Sequence, residues 1–317
     1  MKKLVSLLLC LVLVFSMAAC GNNSNPATPT EAPVTETQDA TQDDTQDATQ
    51  EEVATPEVNV VEEAALAYFA EFPDDRNMIS VAKLLEKIDA GEDIVIVDIR
   101  RADDYNAGHL KGAVNVPYGA TVAESLELIP DDVLVYVNCY SGQTSSQTVS
   151  LLRTAGKYAV NVQGGWKAIS ATEGIDAYTE TTVNTLPEET YEVADEIEQA
   201  IADYYAAATS NTYASFNFPA SAAKELVDAE SDAYTFLSIR SAEDYAAGHI
   251  PGAINIPFGK NMQESFNLIP KDKPVVVYCY SGQTSSQTLG ILRLLGYEAY
   301  SLTGGANGDA GALMTEQ

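Results

Sequence analysis

The stretch Cys139-Tyr140-Ser141-Gly142-Gln143-Thr144-Ser145-Ser146-Gln147-Thr148 occurs a second time, unchanged, as Cys279–Thr288. The offset, 279 minus 139, is 140 residues, and it holds without a gap from Ile94–Lys167 to Tyr234–Asn307. Both histidines obey it: His109 lies in Gly108-His109-Leu110-Lys111-Gly112-Ala113, and His249 in Gly248-His249-Ile250-Pro251-Gly252-Ala253. The chain is therefore a duplicated domain in which each copy holds one cysteine in a loop of small polar residues. That is the layout of a reactive thiol.

Working outward, each copy reads as α/β. In the first, Val81–Ala90 has helical apolar spacing and Gly91 ends it. Ile94–Val97 and Val133–Val137 are β-branched runs suited to strands buried on both faces. Asp103–Ala107 and Val122–Leu128 read as short helices, Val114–Val116 and Val160–Val162 as strands, and Gln143–Arg153 as a helix closing at Gly156. The second copy repeats this through Thr235–Leu237, Ile254–Ile256, Val275–Tyr278 and Thr288–Leu295. Strands alternating with helices predict a mostly parallel sheet flanked by helices on both faces, once per repeat. Two further helices are expected, Glu62–Phe72 before the first repeat and Tyr191–Ala207 between the two. The predicted organisation is a first domain with its leading helix at 61–182, a linker helix at 183–216 and a second domain at 217–317.

In this scheme each cysteine stands at the carboxyl end of a buried strand, where open α/β sheets bind ligands. A tight turn at Gly142 and the start of a helix follow, so backbone N–H groups from Tyr140 to Ser145 can converge as an anion-binding nest. A thiolate or persulfide is stabilised in such a place. Ser141, Gln143, Thr144 and Ser145 add hydroxyl and amide donors, as do Ser281, Gln283, Thr284 and Ser285 after Tyr280 and around Gly282. The alternative, an inert small hydrophobe at a strand end, needs no donor-rich loop.

Composition bounds the compartment and the partners. Lys2 and Lys3 precede an apolar run from Leu4 to Met17, shorter than the roughly 20 residues of a spanning helix. The run closes with Met17-Ala18-Ala19-Cys20-Gly21, so residues 1–19 read as an export signal. These last residues resemble a bacterial lipobox, which implies lipid attachment at Cys20 and an extracytoplasmic lipoprotein tethered to the membrane. An ordinary secretory peptide ending near a cysteine is the alternative. Residues 21–60 hold nine acidic residues and no basic one, the composition of a disordered, self-repelling stalk. Losing the signal takes the formal charge from −29 to −31, which excludes nucleic acid as a partner and binding to anionic headgroups by charge. Two cysteines and two histidines spread over two domains offer neither a disulfide scaffold nor a zinc spacing, so no metal and no cofactor is expected.

Three ordered motifs, each in two copies, carry a resemblance. They are Asp98-Ile99-Arg100 followed by Asp104-Tyr105 and by Gly108-His109 through Val116-Pro117, then Cys139 to Ser145, then Gly164-Gly165. Over 78–170 and 218–308 each repeat resembles a rhodanese domain, the sulfurtransferase fold. The resemblance implies that Cys139 and Cys279 are nucleophiles that take sulfane sulfur as a persulfide from thiosulfate, a persulfide or a polysulfide. They would pass it to cyanide, a small thiol or a protein acceptor. It also implies that the loop amides hold the sulfur and that the histidine orders the turn before a strand instead of acting as a base.

The sequence departs from the family pattern at several points. Both repeats keep the cysteine, where many tandem members keep it only in the second. Ser238 stands where the first repeat has Asp98, and Thr144 and Thr284 stand where many members carry a loop arginine. With no cation in either loop, a dianion would rest on backbone dipoles and on Arg100 or Arg240, so thiosulfate is expected to be a weak donor. The related phosphatase chemistry needs Cys-X5-Arg, and Ser145 and Ser285 occupy that position. A non-catalytic or thiol-redox binding module stays open, since Cys139 and Cys279 would bridge if their Cα atoms came within about 7 Å.

Overall fold

The computed structural model describes residues 59–315; the signal segment, Cys20 and most of the acidic stretch lie outside the described residues. The strands of the first repeat are β1 (Met78–Ile79), β2 (Ile94–Asp98), β3 (His109–Leu110), β4 (Val114–Asn115), β5 (Leu134–Asn138), β6 (Ala159–Val162) and β7 (Thr179–Glu180). Its helices are α1 (Val60–Ala70), α2 (Val81–Ala90), α3 (Ala102–Asn106), α4 (Ala120–Glu124), α5 (Gln143–Thr154) and α6 (Gly165–Ser170). Helix α7 (Asp195–Ser210) leads to the second repeat, with β8 (Asn217–Phe218), α8 (Ala220–Asp228), β9 (Thr235–Ser238), α9 (Ala242–Ala247), β10 (Ile254–Asn255), β11 (Val275–Tyr278), α10 (Gln283–Leu294) and β12 (Ala299–Leu302).

Each repeat builds one five-stranded, wholly parallel sheet, in the orders β1-β6-β5-β2-β4 and β8-β12-β11-β9-β10. The alternation of side chains along a strand explains the two covering layers. On β5, Tyr136 joins an apolar cluster with Leu84, Leu85 and Ile96, whereas Val135 and Val137 join the cluster on the opposite face. Helix α2 supplies much of the first cover: Ser80 caps it by accepting from the Lys83 N–H at 3.4 Å, and Gly91 ends it in the left-handed region.

The sheets are joined face to face through the helices that follow the cysteines. Helix α5 lies against α10, close enough that a Cβ at Gly290 would collide with Ser150 Oγ. Around this contact two glutamines, Gln147 and Gln287, are fully buried. Gln147 accepts from the hydroxyls of Tyr118 (2.7 Å) and Tyr204 (2.9 Å) and donates to the Ser215 carbonyl (2.8 Å). Gln287 accepts from Tyr68 (2.7 Å) and donates to the Arg76 carbonyl (3.1 Å). Burial holds the phenols of Tyr68 and Tyr204 well above the ordinary tyrosine range, so both remain donors.

The helix before each repeat reaches the other one. Phe69 of α1 and Phe72 just beyond it meet Phe258 edge-on at 5.8 and 4.9 Å, Phe69 meets Phe266 at 5.8 Å, and the Asn261 N–H donates to the Phe69 carbonyl at 2.9 Å. Helix α7 packs on α4, with Tyr205 against Tyr118 at 5.1 Å. The leading helix packs on α5 of the first repeat as well as on α10 of the second, so its apolar face is shared between the two. Phe69→Ala should cost about 3–5 kcal/mol in urea unfolding, and hydrogen exchange should show the lost protection around Phe258–Phe266 before the first sheet.

Candidate active site

Cys139 follows β5 and Cys279 follows β11, each at the carboxyl end of the central strand of its sheet, and both are free thiols only 2% exposed. The chain must then turn sharply to start a helix. Gly142 makes the turn at φ +89° and Gly282 at φ +84°, a left-handed backbone that a side chain resists. The turn aims the Gly142 N–H at Cys139 Sγ and the Gly282 N–H at Cys279 Sγ, both at 3.1 Å. Ser145 Oγ lies 3.2 Å from Cys139 Sγ and Ser285 Oγ 3.4 Å from Cys279 Sγ.

A second glycine pair clamps the loop from behind. The N–H groups of Trp166 and Lys167 donate to the carbonyls of Cys139 (2.7 Å) and Tyr140 (3.0 Å), and Ala306 and Asn307 do the same in the second copy. A Cβ at Gly165 would come within 2.5 Å of the Cys139 carbonyl oxygen. With the carbonyls of Cys139 and Tyr140 so engaged, the loop is held with its Gly142 N–H on the sulfur. The N–H groups of Ser141, Gln143, Thr144 and Ser145 donate to no protein acceptor among the described residues. They lie at the first turn of a 12-residue helix, whose dipole adds to their attraction for an anion.

Tyr140 and Tyr280 form the outer lip, the former 45% exposed. Their hydroxyls donate to Asp104 and Asp244 and are backed by the N–H groups of Arg101 and Ser241, both at 3.2 Å. The Tyr140 hydroxyl, with Arg101, holds the Asp104 carboxyl below its usual range, and Ser241 and then Tyr280 do so for Asp244. Depressed carboxylates keep these anchors complete above the ordinary carboxylate pKa of about 4, with loss only as pH falls through the lower folded value. Ser141 and Ser281 are exposed beside the tyrosines, and Thr144 and Thr284 are half-buried in the first helical turn.

Three expectations are changed by the geometry. Gln143 and Gln283 reach beyond their own loops: Gln283 Oε1 accepts from the Gly164 N–H at 3.1 Å, and Gln143 Oε1 accepts from the Gly304 N–H at 3.1 Å. Each glutamine thus braces the other repeat's glycine pair, and Gln283 keeps one bond in its own loop, from Nε2 to Ser281 Oγ at 3.3 Å. Arg100 does not serve the loop either. Buried at 2% exposure, it forks onto Asp98 at 2.7–3.0 Å, donates to the Gly108 carbonyl at 2.8 Å and lies under Trp166, 3.9 Å from the ring centroid. Arg240, lacking an acid because position 238 is serine, donates to the Gly248 carbonyl and leaves its Nε buried without a partner.

The histidines are also occupied elsewhere. His109 stacks on Tyr105 at 3.6 Å with its ring nitrogens on the Tyr105 and Thr182 carbonyls, and His249 stacks on Tyr245 at 3.8 Å. Neither makes a hydrogen bond to a cysteine. No cluster of three or more metal-ligating side chains occurs among the described residues.

Two residues the sequence reading passed over complete the site. Asn161 Oδ1 accepts from Ser145 Oγ at 2.6 Å, and Ser301, its counterpart, contacts Ser285 Oγ at 2.8 Å. The available signal was a lone polar residue within each of the apolar runs Ala159–Val162 and Ala299–Leu302.

The geometry has a counterpart among known proteins. Residues 80–172 and 219–311 each match the Rhodanese-like domain family, and the chain belongs to that family. The thiosulfate sulfurtransferase PspE of Escherichia coli is 33% identical over 91 residues, which are 28% of this chain and 78% of that protein. A tRNA sulfurtransferase of Desulfurococcus amylolyticus is 42% identical over 69 residues, 22% of this chain but only 13% of that protein's length. Among solved structures, the 3-mercaptopyruvate sulfotransferase SseA of Escherichia coli is 21% identical, with 72% of this chain and 98% of that one covered at a TM-score of 0.36.

The two arginines differ in what their removal exposes. Arg100→Ala strands the buried Asp98 carboxylate and should cost about 3–5 kcal/mol. Arg240→Ala breaks no ion pair and should cost about 1 kcal/mol. Urea titration of the two variants reads the difference; equal losses would return Arg100 to the pool of residues available to substrate.

Proposed function

We propose that the protein is a sulfurtransferase in which both Cys139 and Cys279 carry sulfane sulfur as a persulfide. The observation that supports this reading most directly is the pairing, in both repeats, of a cysteine sulfur held by a glycine N–H at 3.1 Å with a ring of unengaged loop N–H groups. Such a cradle suits an anion that grows by one sulfur atom and then shrinks again.

With thiosulfate as donor, the cysteine thiolate attacks the outer sulfur. A cysteine–sulfur bond forms, the S–S bond of thiosulfate breaks, and sulfite leaves with the electron pair. In the second half the outer persulfide sulfur is attacked by cyanide or a thiolate, giving thiocyanate or a new persulfide and restoring the thiolate. The loop N–H groups bear the negative charge at each stage, with no general base required of the histidines.

Donor choice follows from charge. Neither loop holds a cation, Arg100 is engaged by Asp98, and the protein carries a net charge of −29. Persulfides, which carry a single negative charge, and polysulfides, which spread theirs along the chain, are therefore better donors than dianionic thiosulfate. Residues 1–20 support the further reading that the enzyme works outside the cytoplasm on a lipid tether. Labelling with radioactive palmitate, lost in Cys20→Ser, tests that.

Intact-mass analysis of the purified chain, before and after exposure to polysulfide or thiosulfate, tests the chemistry. The wild type should gain two sulfur atoms, Cys139→Ala and Cys279→Ala one each, and cyanide should remove them. No gain from any donor would overturn the reading in favour of a binding or thiol-redox module. A thiosulfate KM in the low micromolar range would overturn the donor preference.

A further inference from the structure

The two loops have identical sequences, yet the hydroxyls behind their sulfurs have different partners. In the first repeat the wiring starts from backbone N–H groups, whose role as donors is fixed. The Gly164 N–H donates to Gln283 Oε1, so Asn161 must present its Nδ2 to that same oxygen, which it does at 3.0 Å. That turns Asn161 Oδ1 toward Ser145, and an amide oxygen only accepts. Ser145 Oγ is placed to donate both to Asn161 Oδ1 at 2.6 Å and to Cys139 Sγ at 3.2 Å, and its single proton goes to one of them at a time. The shorter bond to the amide oxygen competes with a Cys139 thiolate for that proton.

In the second repeat position 161 is replaced by Ser301, and Gln143 Nε2 is left buried without a partner. Ser286 Oγ donates to Ser301 Oγ at 3.1 Å, Ser301 lies 2.8 Å from Ser285, and Ser285 lies 3.4 Å from Cys279 Sγ. The Ser301 hydroxyl has a longer alternative acceptor in the Gly282 carbonyl at 3.4 Å, and with its proton on the nearer Ser285 the three form a relay of donors running Ser286 to Ser301 to Ser285 and ending on the sulfur. The matching hydroxyl of the first repeat, Ser146 Oγ, has no partner.

We infer that the two cysteines are chemically inequivalent, with Cys279 the better nucleophile. Asn161, oriented across the domain boundary by Gln283, and Ser301 are the positioning residues that set the difference. For Ser145 to donate to a Cys139 thiolate, it must abandon Asn161 Oδ1 and leave a buried acceptor unsatisfied. Ser285 donates to a Cys279 thiolate with every hydroxyl still paired. Access does not separate the two sites, since both cysteines are 2% exposed in loops of one sequence. The inference deepens the sulfurtransferase reading and rests on it for its meaning, but its test does not require sulfur transfer.

The test is the rate of iodoacetamide labelling at each cysteine in the full chain at neutral pH, read as labelled peptides by mass spectrometry. Wild-type Cys279 should react about tenfold faster than Cys139, the order expected when one buried acceptor is left unpaired. Asn161→Ser should raise the Cys139 rate toward that of Cys279, and Ser301→Asn should lower the Cys279 rate toward that of Cys139, each leaving the other cysteine within about twofold. A merely structural role would slow or speed both cysteines together and would not exchange their rates. Equal wild-type rates, a faster Cys139, or an Asn161→Ser change that fails to accelerate Cys139 would overturn the inference. Should Asn161→Ser not fold, the wild-type ratio and Ser301→Asn decide. If the rates split as expected but no sulfur is ever loaded, the inequivalence stands and the sulfurtransferase reading falls.

Discussion

The contact of α5 with α10 is the constraint from which most of this molecule follows. It is isologous within a single chain: Gln283 meets Gly164 while Gln143 meets Gly304, and Gln287 meets the Arg76 carbonyl while Gln147 meets the Ser215 carbonyl. A self-complementary patch cannot change on one side without misfitting its partner on the other. This gives the duplicated decamer a physical reason to be identical through Thr148 and Thr288, well past the residues that touch sulfur. Its first half shapes a cradle, and its second half is the seam between the repeats. The same seam explains why α1 and α7 cross over, since each must fill the space beside a helix pair to which both repeats contribute.

The proposed chemistry rests almost wholly on backbone. Positive φ at Gly142 and Gly165, and at Gly282 and Gly305, lets one loop turn its N–H groups inward while a neighbouring helix start takes up its carbonyls. Fixed dipoles of this kind need no reorganisation when a sulfur anion arrives, and they are selective against dianions only through what is missing around them. Arg100 and Arg240 are both turned to structural work in a strongly acidic protein, which is the basis of the proposed preference against thiosulfate. The Tyr140–Asp104 and Tyr280–Asp244 pairs add rigidity at the lip without adding positive charge, because the only arginine there, Arg101, is itself matched to Asp104 at 3.1 Å.

Much of this was legible in the sequence where the signal is local. Continuous β-branched runs gave the central strands, glycines gave the helix ends, and the repeated loop at a strand end gave the site. Helix α10 starts at Gln283, five residues before the stretch expected, because its first turn is polar and turns its hydroxyls to the cysteine. The edge strands β1 and β8 are two residues long and carry no period to read. Asp98-Ile99-Arg100 could be recognised, but not the direction of its arginine, since a fork onto Asp98 and a reach toward substrate leave the same trace in sequence. The same holds for α1: Phe69 and Phe72 announce an apolar face and say nothing of which sheet it covers. What escaped, in short, is whatever depends on how two copies meet.

That dependence also sets what duplication can achieve here. The seam ties the loops to one sequence, and the differences nearest to them lie behind: Asp98 against Ser238, Trp166 against Ala306 and Asn161 against Ser301. The first two alter how firmly Arg100 or Arg240 is held and leave the cradle as it is. The third reaches the sulfur through one hydroxyl and, on the inference above, competes for its proton. Where two loops must match to fit each other, a single amide behind one of them is a small change that would give the pair two different reactivities.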